Sequence, residues 1–305
     1  MKVLITGGAG FIGSHVVETL LGTGHLPVVL DNLSSGRREN LGADIRVVVM
    51  DILDPELEMF FQRERFDAVI HLAAQTSVPY SLERPDVDCR INLQGLIQVL
   101  EACRKTGVKR VLFPSSAAVY GDVAELPVSE NSPASPGSFY GLTKLTSEKY
   151  LALYQEIYGL EYAVMRYANV YGERQGDGGE GGVVSIFARK LRRGETVTVF
   201  GDGGQTRDFI YVGDVAKANL QALLAPTEKI NRVLNISTRM QTSVTELLRV
   251  MQQVTGKTTE VVFSSPREGD IYHSMLDNRA AVAALDWQPQ TGLDEGLAQT
   301  CRYWE

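Results

Sequence analysis

The chain alternates short, unbroken apolar runs with stretches whose apolar residues recur every three or four positions. The runs are Lys2–Thr6, Pro27–Leu30, Ile45–Met50, Phe66–Ala74, Lys109–Phe113 and Tyr162–Arg166; rich in apolar and β-branched residues and bounded by turn formers, they predict buried strands. Between them Val16, Val17, Leu20 and Leu21 repeat at helical spacing, a helix is expected over about Asp86 to Thr106, and another opens at Tyr140. Strands separated by helical crossovers imply a parallel sheet covered on both faces. The expected fold class is therefore α/β, a doubly wound Rossmann sheet with a smaller C-terminal α/β domain.

From Glu173 the pattern changes. Glu173–Gly182 is polar and glycine-rich, and it reads equally as a lid or as a surface loop. Beyond it come a predicted helix Val183–Arg193, a strand Thr196–Phe200, a turn Gly201–Gly204 and a helix near Asp214. A strand Val233–Ile236, helices around Val244–Thr255 and Arg279–Leu285, and a loop Pro266–Asp270 complete the chain. The division predicts a nucleotide domain over 1–172, with a returning segment near 205–237, and a substrate cap over 173–305.

The first strand passes into the first helix through Gly7, Gly10 and Gly13, and this stretch, KVLITGGAGFIG, is a dinucleotide clasp. Gly7 supplies a tight turn, Gly10 lets a pyrophosphate approach the main chain, and Gly13 lets helix and strand pack closely. Amide N–H groups of the helix's first turn then face the phosphates. The second strand ends on Asp31, 18 residues after Gly13, where a carboxylate accepts hydrogen bonds from an adenosine ribose. It would repel a 2′-phosphate, so the expected cofactor is NAD rather than NADP. Asn32–Gly36 is a loop placed to fold over the adenosine. Asp51 ends the third strand and reads equally as an acceptor for the adenine amine or as a turn residue. Small residues at Ala73 and Ala74 leave ligand space at a strand's carboxyl end, and Asn92 faces that edge or solvent.

With 305 residues the chain can bury a sizeable core. A net charge of -7 without any Lys/Arg run argues against nucleic acid or an anionic membrane as partner, so an anionic substrate must meet local arginines. Cys89, Cys103 and Cys301 are scattered and read as reduced thiols in a cytoplasmic protein. No apolar run approaches a membrane span, and the first strand begins too early for a signal peptide. His15, His25, His71 and His273 form no metal-ligand pattern, so no metal is expected.

The candidate chemistry lies at Ser116, Tyr140 and Lys144. Tyr140 and Lys144 are four apart on a helix and point the same way. An adjacent ammonium is expected to lower the phenol's affinity for its proton, which would let Tyr140 take a proton from an alcohol. Ser116, at the end of the preceding strand, is placed to hydrogen-bond the reacting oxygen.

Taken together, TGGAGFIG, Asp31-Asn32, HLAA at His71–Ala74, SSAAVYG at Ser115–Gly121, Tyr140-x-x-x-Lys144, RYANVYG and RDFIYV resemble the extended short-chain dehydrogenase/reductase family, in particular its UDP-glucose 4-epimerases. The likeness covers essentially the whole chain. It implies NAD held by Phe11, Ile12, Asp31, Asn32, Leu33, Ser34, Ser35, Gly36, Asp51, Ile52, Leu72, Ala73, Ala74, Gln75, Thr76, Asn92, Tyr140, Lys144 and Ala168. It implies a UDP-sugar held by Ser116, Tyr140, Asn169, Thr198, Val199, Phe200, Arg207, Arg267 and Asp270. The implied reaction is 4-epimerisation of UDP-hexoses through a transient 4-keto sugar. Related 4,6-dehydratases resemble one another in an Asp-Glu pair where this chain has Ala117-Ala118; a UDP-glucuronate enzyme and a non-catalytic NAD-binding regulator are the other readings. Ser274 aligns with a position that gates the sugar's 2-substituent in these epimerases, and serine leaves room for an N-acetyl group. Thr76 stands where some members carry lysine. Family members pair as homodimers through helices matching about 86–106 and 141–158, where Ile97, Leu100, Leu151 and Tyr154 would face a partner or the sheet.

Overall fold

The computed structural model describes residues 1–176, 182–266 and 271–304. Seven strands form one parallel sheet: β1 Lys2–Thr6, β2 Leu26–Asp31, β3 Arg46–Val49, β4 Ala68–His71, β5 Arg110–Ser116, β6 Glu161–Tyr167 and β7 Arg232–Ile236. Their order is β7-β6-β5-β4-β1-β2-β3, so the chain direction across the sheet reverses between β1 and β4. In open parallel sheets the crevice above that reversal is where ligands sit.

Alternation along each strand explains the two covered faces. Val3, Ile5 and Val29 join one apolar cluster with Val16, Val17 and Leu20 of helix α1 (Phe11–Gly22) and with Val215, Ala218 and Ala222 of the helix Val212–Leu224. Leu4, Val28 and Leu30 point the other way, onto helices α2 (Leu57–Glu64), α3 (Gly95–Thr106) and α4 (Phe139–Tyr158). Each large aliphatic residue removed from water here contributes roughly 1.5–3 kcal/mol before entropy is charged against it. Leu100 and Leu151 belong to this second cluster at 0% and 1% exposure, so they pack on the sheet and do not face a partner. Ile97 and Tyr154 are half-buried.

Three boundaries differ from expectation, each for a local reason. β4 stops at His71 instead of reaching Ala74, because its last paired partner is Thr6; Leu72 N donates to Thr6 O (3.0 Å) and the chain then turns away. β5 runs on to Ser116, since Phe113–Ser116 pair with Val164–Tyr167 of β6. Pro114 is tolerated there because pairing with β4 ends at Leu112, leaving the strand one neighbour. The helix expected over 86–106 is broken into Pro85–Cys89, a π-helical turn Arg90–Gln94 and α3.

The C-terminal residues form two-stranded pieces: Val197–Phe200 with Val261–Ser264, Thr206–Arg207 with Thr242–Ser243, and Phe209–Tyr211 with Asn169–Tyr171. The helices Val183–Arg193, Val244–Thr255 and Leu293–Tyr303 enclose them around Phe187, Leu191, Leu247, Met251 and Leu297. Among the described residues no helix is long and apolar enough to cross a membrane.

Candidate active site

The glycine clasp is enforced by contact. Gly7 has φ +69°, and a Cβ there would lie 2.6 Å from Ala73 N; a Cβ on Gly13 would lie 2.3 Å from Gly7 O. Gly10 caps α1 without a side chain, and the helix has no acidic residue in its first turn. The orphan amides of Phe11, Ile12 and Gly13 therefore form an anion-favouring end. Asp31 is buried, with one carboxylate oxygen 2.9 Å from Ala9 N and the other 2.9 Å from Leu33 N. A Cβ on Gly36 would meet Asp31 Oδ2 at 2.7 Å, so this loop must be glycine to pass the carboxylate. Asn32 donates to Asp51 (2.7 Å) and accepts from Ser34 N (3.0 Å), while Leu53 N donates to Asp51 (2.8 Å). Asp51 thus serves as a turn residue in the chain itself. Ser35 extends the same loop, and Ile52 is buried against Gly95. Cradle, amides and buried carboxylate together fit a dinucleotide. Gly13→Ala is expected to cost about 1–3 kcal/mol through overpacking and to release the cofactor; a variant that co-purifies with a full complement of NAD would contradict this.

Ser116, Tyr140 and Lys144 meet at the carboxyl edge of β5. Helix α4 starts where it does because Ser138 Oγ accepts from Gly141 N (3.1 Å). Its first turn packs so closely on the turn Ala117–Val119 that a Cβ on Gly141 would meet Ala118 O at 2.6 Å. This contact brings the Tyr140 phenol close enough to the Ser116 hydroxyl for Ser116 to favour its phenolate. Ser116 Oγ also accepts from Ala118 N (3.2 Å). Lys144 is buried; its Nζ donates to Pro114 O (2.9 Å) and stands 4.7 Å from the Phe113 ring centroid and 5.9 Å from that of Tyr140.

The expectation that Lys144 lowers the Tyr140 value is corrected here. Burial pushes the phenol above its ordinary value, Ser116 offsets part of that, and the charge of Asp88 pushes it further up. Lys144 is turned to the Pro114 carbonyl, and its own value is lowered to about 8 by burial. His71 is held near 3 by burial and by Lys144, so it is neutral, and it hydrogen-bonds Thr6 Oγ1 at 2.8 Å.

The segment Leu72–Ser77 lies between β4 and the π turn. Gln75 is held by Asn92, whose Oδ1 accepts from Gln75 N (2.8 Å) and whose Nδ2 donates to Gln75 O (3.0 Å). Asn92 is 3% exposed, so it is not solvated, and it clamps the main chain of Gln75. Leu72, Ala73 and Ala74 are half-buried there, and Thr76 is exposed. Asp88, Thr143, Glu148 and Arg166 were not legible as site residues, although Asp88 and Asn92 stand four apart in sequence.

On the sugar side, Ala168 N donates to Ile236 O (3.0 Å) and the backbone N–H of exposed Asn169 donates to Asp208 O (2.9 Å). Thr198 and Phe200 are half-buried, but the Val199 side chain, at 2% exposure, is in the core, so only its main chain can meet a ligand. Arg207 Nη1 donates to Thr206 O (2.8 Å), and Ser274 N donates to the same carbonyl (3.2 Å), which sets the two side by side. A cavity of about 490 Å³ opens beside Phe200, lined by Gln205, Ser264, Pro266 and Tyr272 among others. Arg267 and Asp270 lie outside the described residues, as do residues 177–181 of the glycine-rich stretch; its described start is pinned, with Arg174 paired to Glu18 (2.6 Å). A second cleft, of about 580 Å³, is lined by His15, Glu18, Asn40 and Arg174 and includes none of the Ser116, Tyr140 and Lys144 set.

A switch-point crevice carrying a dinucleotide clasp and a Ser-Tyr-Lys cluster defines an extended short-chain dehydrogenase/reductase. A family model described as NAD dependent epimerase/dehydratase matches residues 3–237, and the chain belongs to that family, whose cofactor is NAD. The UDP-glucose 4-epimerase of Mycolicibacterium smegmatis is 41% identical over 309 residues, covering 99% of this chain and 98% of that one. The crystal structure of the UDP-glucose 4-epimerase of Thermotoga maritima with UDP-glucose matches at TM-score 0.96 and 43% identity, covering 100% of this chain and 98% of that one. The UDP-N-acetylglucosamine 4-epimerase of Methanobrevibacter ruminantium, in complex with UDP-N-acetylmuramic acid, matches at 0.94 and 34%, covering 99% and 97%.

Proposed function

We propose that this chain interconverts the C4 epimers of UDP-hexoses. The observation that carries the reading is the gathering of Ser116, Tyr140 and Lys144 at the carboxyl end of β5, with Lys144 Nζ 5.9 Å from the Tyr140 ring centroid, on the same sheet edge as the clasp. Bound NAD would supply a positively charged ring and a reversible acceptor for the hydrogen of a carbinol carbon. Gly7, Gly10, Gly13, Asp31 and the segment Leu72–Thr76 would hold it.

Tyr140 takes the proton of the sugar's 4′-hydroxyl and returns it to that same oxygen once the sugar has turned about its pyrophosphate and presents the other face of carbon 4. Ser116 hydrogen-bonds the same oxygen. Lys144, buried and charged below about pH 8, keeps a positive charge beside the phenol. Arg207 meets the pyrophosphate, a contact needed in a chain whose net charge is -7. Ala117 and Ala118 carry no acid or base, which supports epimerisation over elimination of water. The cap role of residues 173–305 follows from the same reading.

Incubating the purified protein with UDP-galactose, without added cofactor, should yield UDP-glucose. An unchanged substrate or a dehydrated product would refute the proposal. Half-buried Ser274 beside Arg207 leaves room at the sugar's 2-position, so UDP-GlcNAc and UDP-GalNAc should also interconvert in that incubation. Turnover of the plain hexoses alone would remove this extension.

A second copy of the chain is the expected partner. α4 exposes Leu142 (48%), Leu153 (51%) and Ile157 (63%), an apolar stripe at helical spacing. Sedimentation at twice the mass of one chain is expected, and a monomer at working concentration would count against it.

A further inference from the structure

Asp88 is fully buried, and its carboxylate joins three pieces of the site. Oδ1 accepts from Gln75 Nε2 (2.7 Å), on the ligand-facing segment, and from Asn92 Nδ2 (3.1 Å), in the π turn. Oδ2 accepts from Thr143 Oγ1 (2.8 Å), on the helix that carries Tyr140 and Lys144. Thr143 Oγ1 also lies 3.0 Å from Tyr140 O. π turns recur at functional sites, and this one lets Asp88 and Asn92 both reach the same segment. All three donors are uncharged, so the charge of the buried carboxylate must be balanced by groups farther off.

We propose that Asp88 is a positioning residue of the reaction: through Gln75, Asn92 and Thr143 it fixes where the Leu72–Ser77 segment stands relative to Tyr140, and its charge balances Lys144. The charged and titratable groups that reach this cluster are Lys144, Tyr140 and Glu148 on α4 and His71 on β4. His71 is neutral and Glu148 is paired with Arg166. The charge of Asp88 thus bears on both Lys144 and the phenol. Asp88 favours the ammonium of Lys144 and disfavours the phenolate of Tyr140. Removing its charge lowers both values.

The inference rests on Tyr140 being the reaction's base, and the test reads the phenol whether or not the chain epimerises. In Asp88→Asn the amide oxygen can keep Gln75 and Asn92, while its N–H donates to Thr143 Oγ1, whose own proton turns to Tyr140 O. The clamp survives and the charge goes. The Tyr140 titration is read as the ultraviolet phenolate difference between each protein and its Tyr140→Phe counterpart. It should move down by roughly one pH unit in Asp88→Asn, and the acid limb of the epimerisation pH profile should move with it. Asp88→Ser, also neutral and smaller, should move both in the same direction. A phenol titration that stays put or moves up in a folded variant overturns the proposal. So does failure of both variants to fold, because the amide is expected to preserve the clamp. Loss of epimerisation in the unmutated protein would fall on the proposed function alone.

Discussion

Tyr140→Phe should lower the rate of C4 epimerisation by roughly 10²–10⁴-fold while the protein stays folded. The substitution removes one oxygen, which lies near the Ser116 hydroxyl. The ring itself keeps its place near Lys144, 5.9 Å from Nζ. Ser116 retains Ala118 N as a hydrogen-bond partner, so no buried group is orphaned. Rates at saturating substrate, together with a thermal melt, check the expectation; near-normal epimerisation by a folded variant would end the assignment of Tyr140 as base. The direction with pH follows from the same group. Its value is raised by burial, the active form is the deprotonated one, and the rate should therefore fall as pH falls.

Arg166→Met should destabilise the protein by about 3–5 kcal/mol, because it leaves a buried carboxylate without its cation. Arg166 and Glu148 are 5% and 4% exposed and form a two-pronged pair at 2.9 and 2.6 Å. Ser115 Oγ donates to the same Glu148 oxygen that accepts from Arg166 Nε, and the guanidinium lies 4.6 Å from the Tyr120 ring centroid. Burial lowers the Arg166 value, but Glu148 more than offsets that and holds it above the usual guanidinium range. Urea unfolding of the single variant and of Arg166→Met with Glu148→Gln separates the terms. The double variant should recover much of the loss, since no unpaired charge remains. A single-variant cost below about 1 kcal/mol would show the pair to be solvated. Ser115 neighbours Ser116, so the single variant should also slow the reaction.

The parallel sheet and the clasp were legible because each depends on local signals. Strand runs such as Val3–Thr6 carry their own burial pattern, and Gly7 and Gly13 stand where backbone contacts forbid a side chain. The pairing of Tyr140 with Lys144 was legible as one helical turn, and Ser116 as a strand end. What escaped reading was set by tertiary partners. The clamp made by Asn92 was not legible, because nothing local reveals that Gln75's main chain folds back onto it. Lys144 looked like an ion facing a phenol because the Pro114 carbonyl that draws it away is 30 residues distant in sequence. Leu100 and Leu151 could not be assigned to core or interface until the sheet lay against them. Short strands such as Thr206–Arg207 are too brief to show any periodicity at all.

The most direct measurement uses UDP-galactose carrying deuterium on carbon 4, incubated with the purified protein in ordinary water. If Tyr140 moves only the hydroxyl proton and the carbon-bound hydrogen returns to the carbon it left, the UDP-glucose formed keeps its deuterium at carbon 4. Loss of that label to water would show a different chemistry at this edge of the sheet.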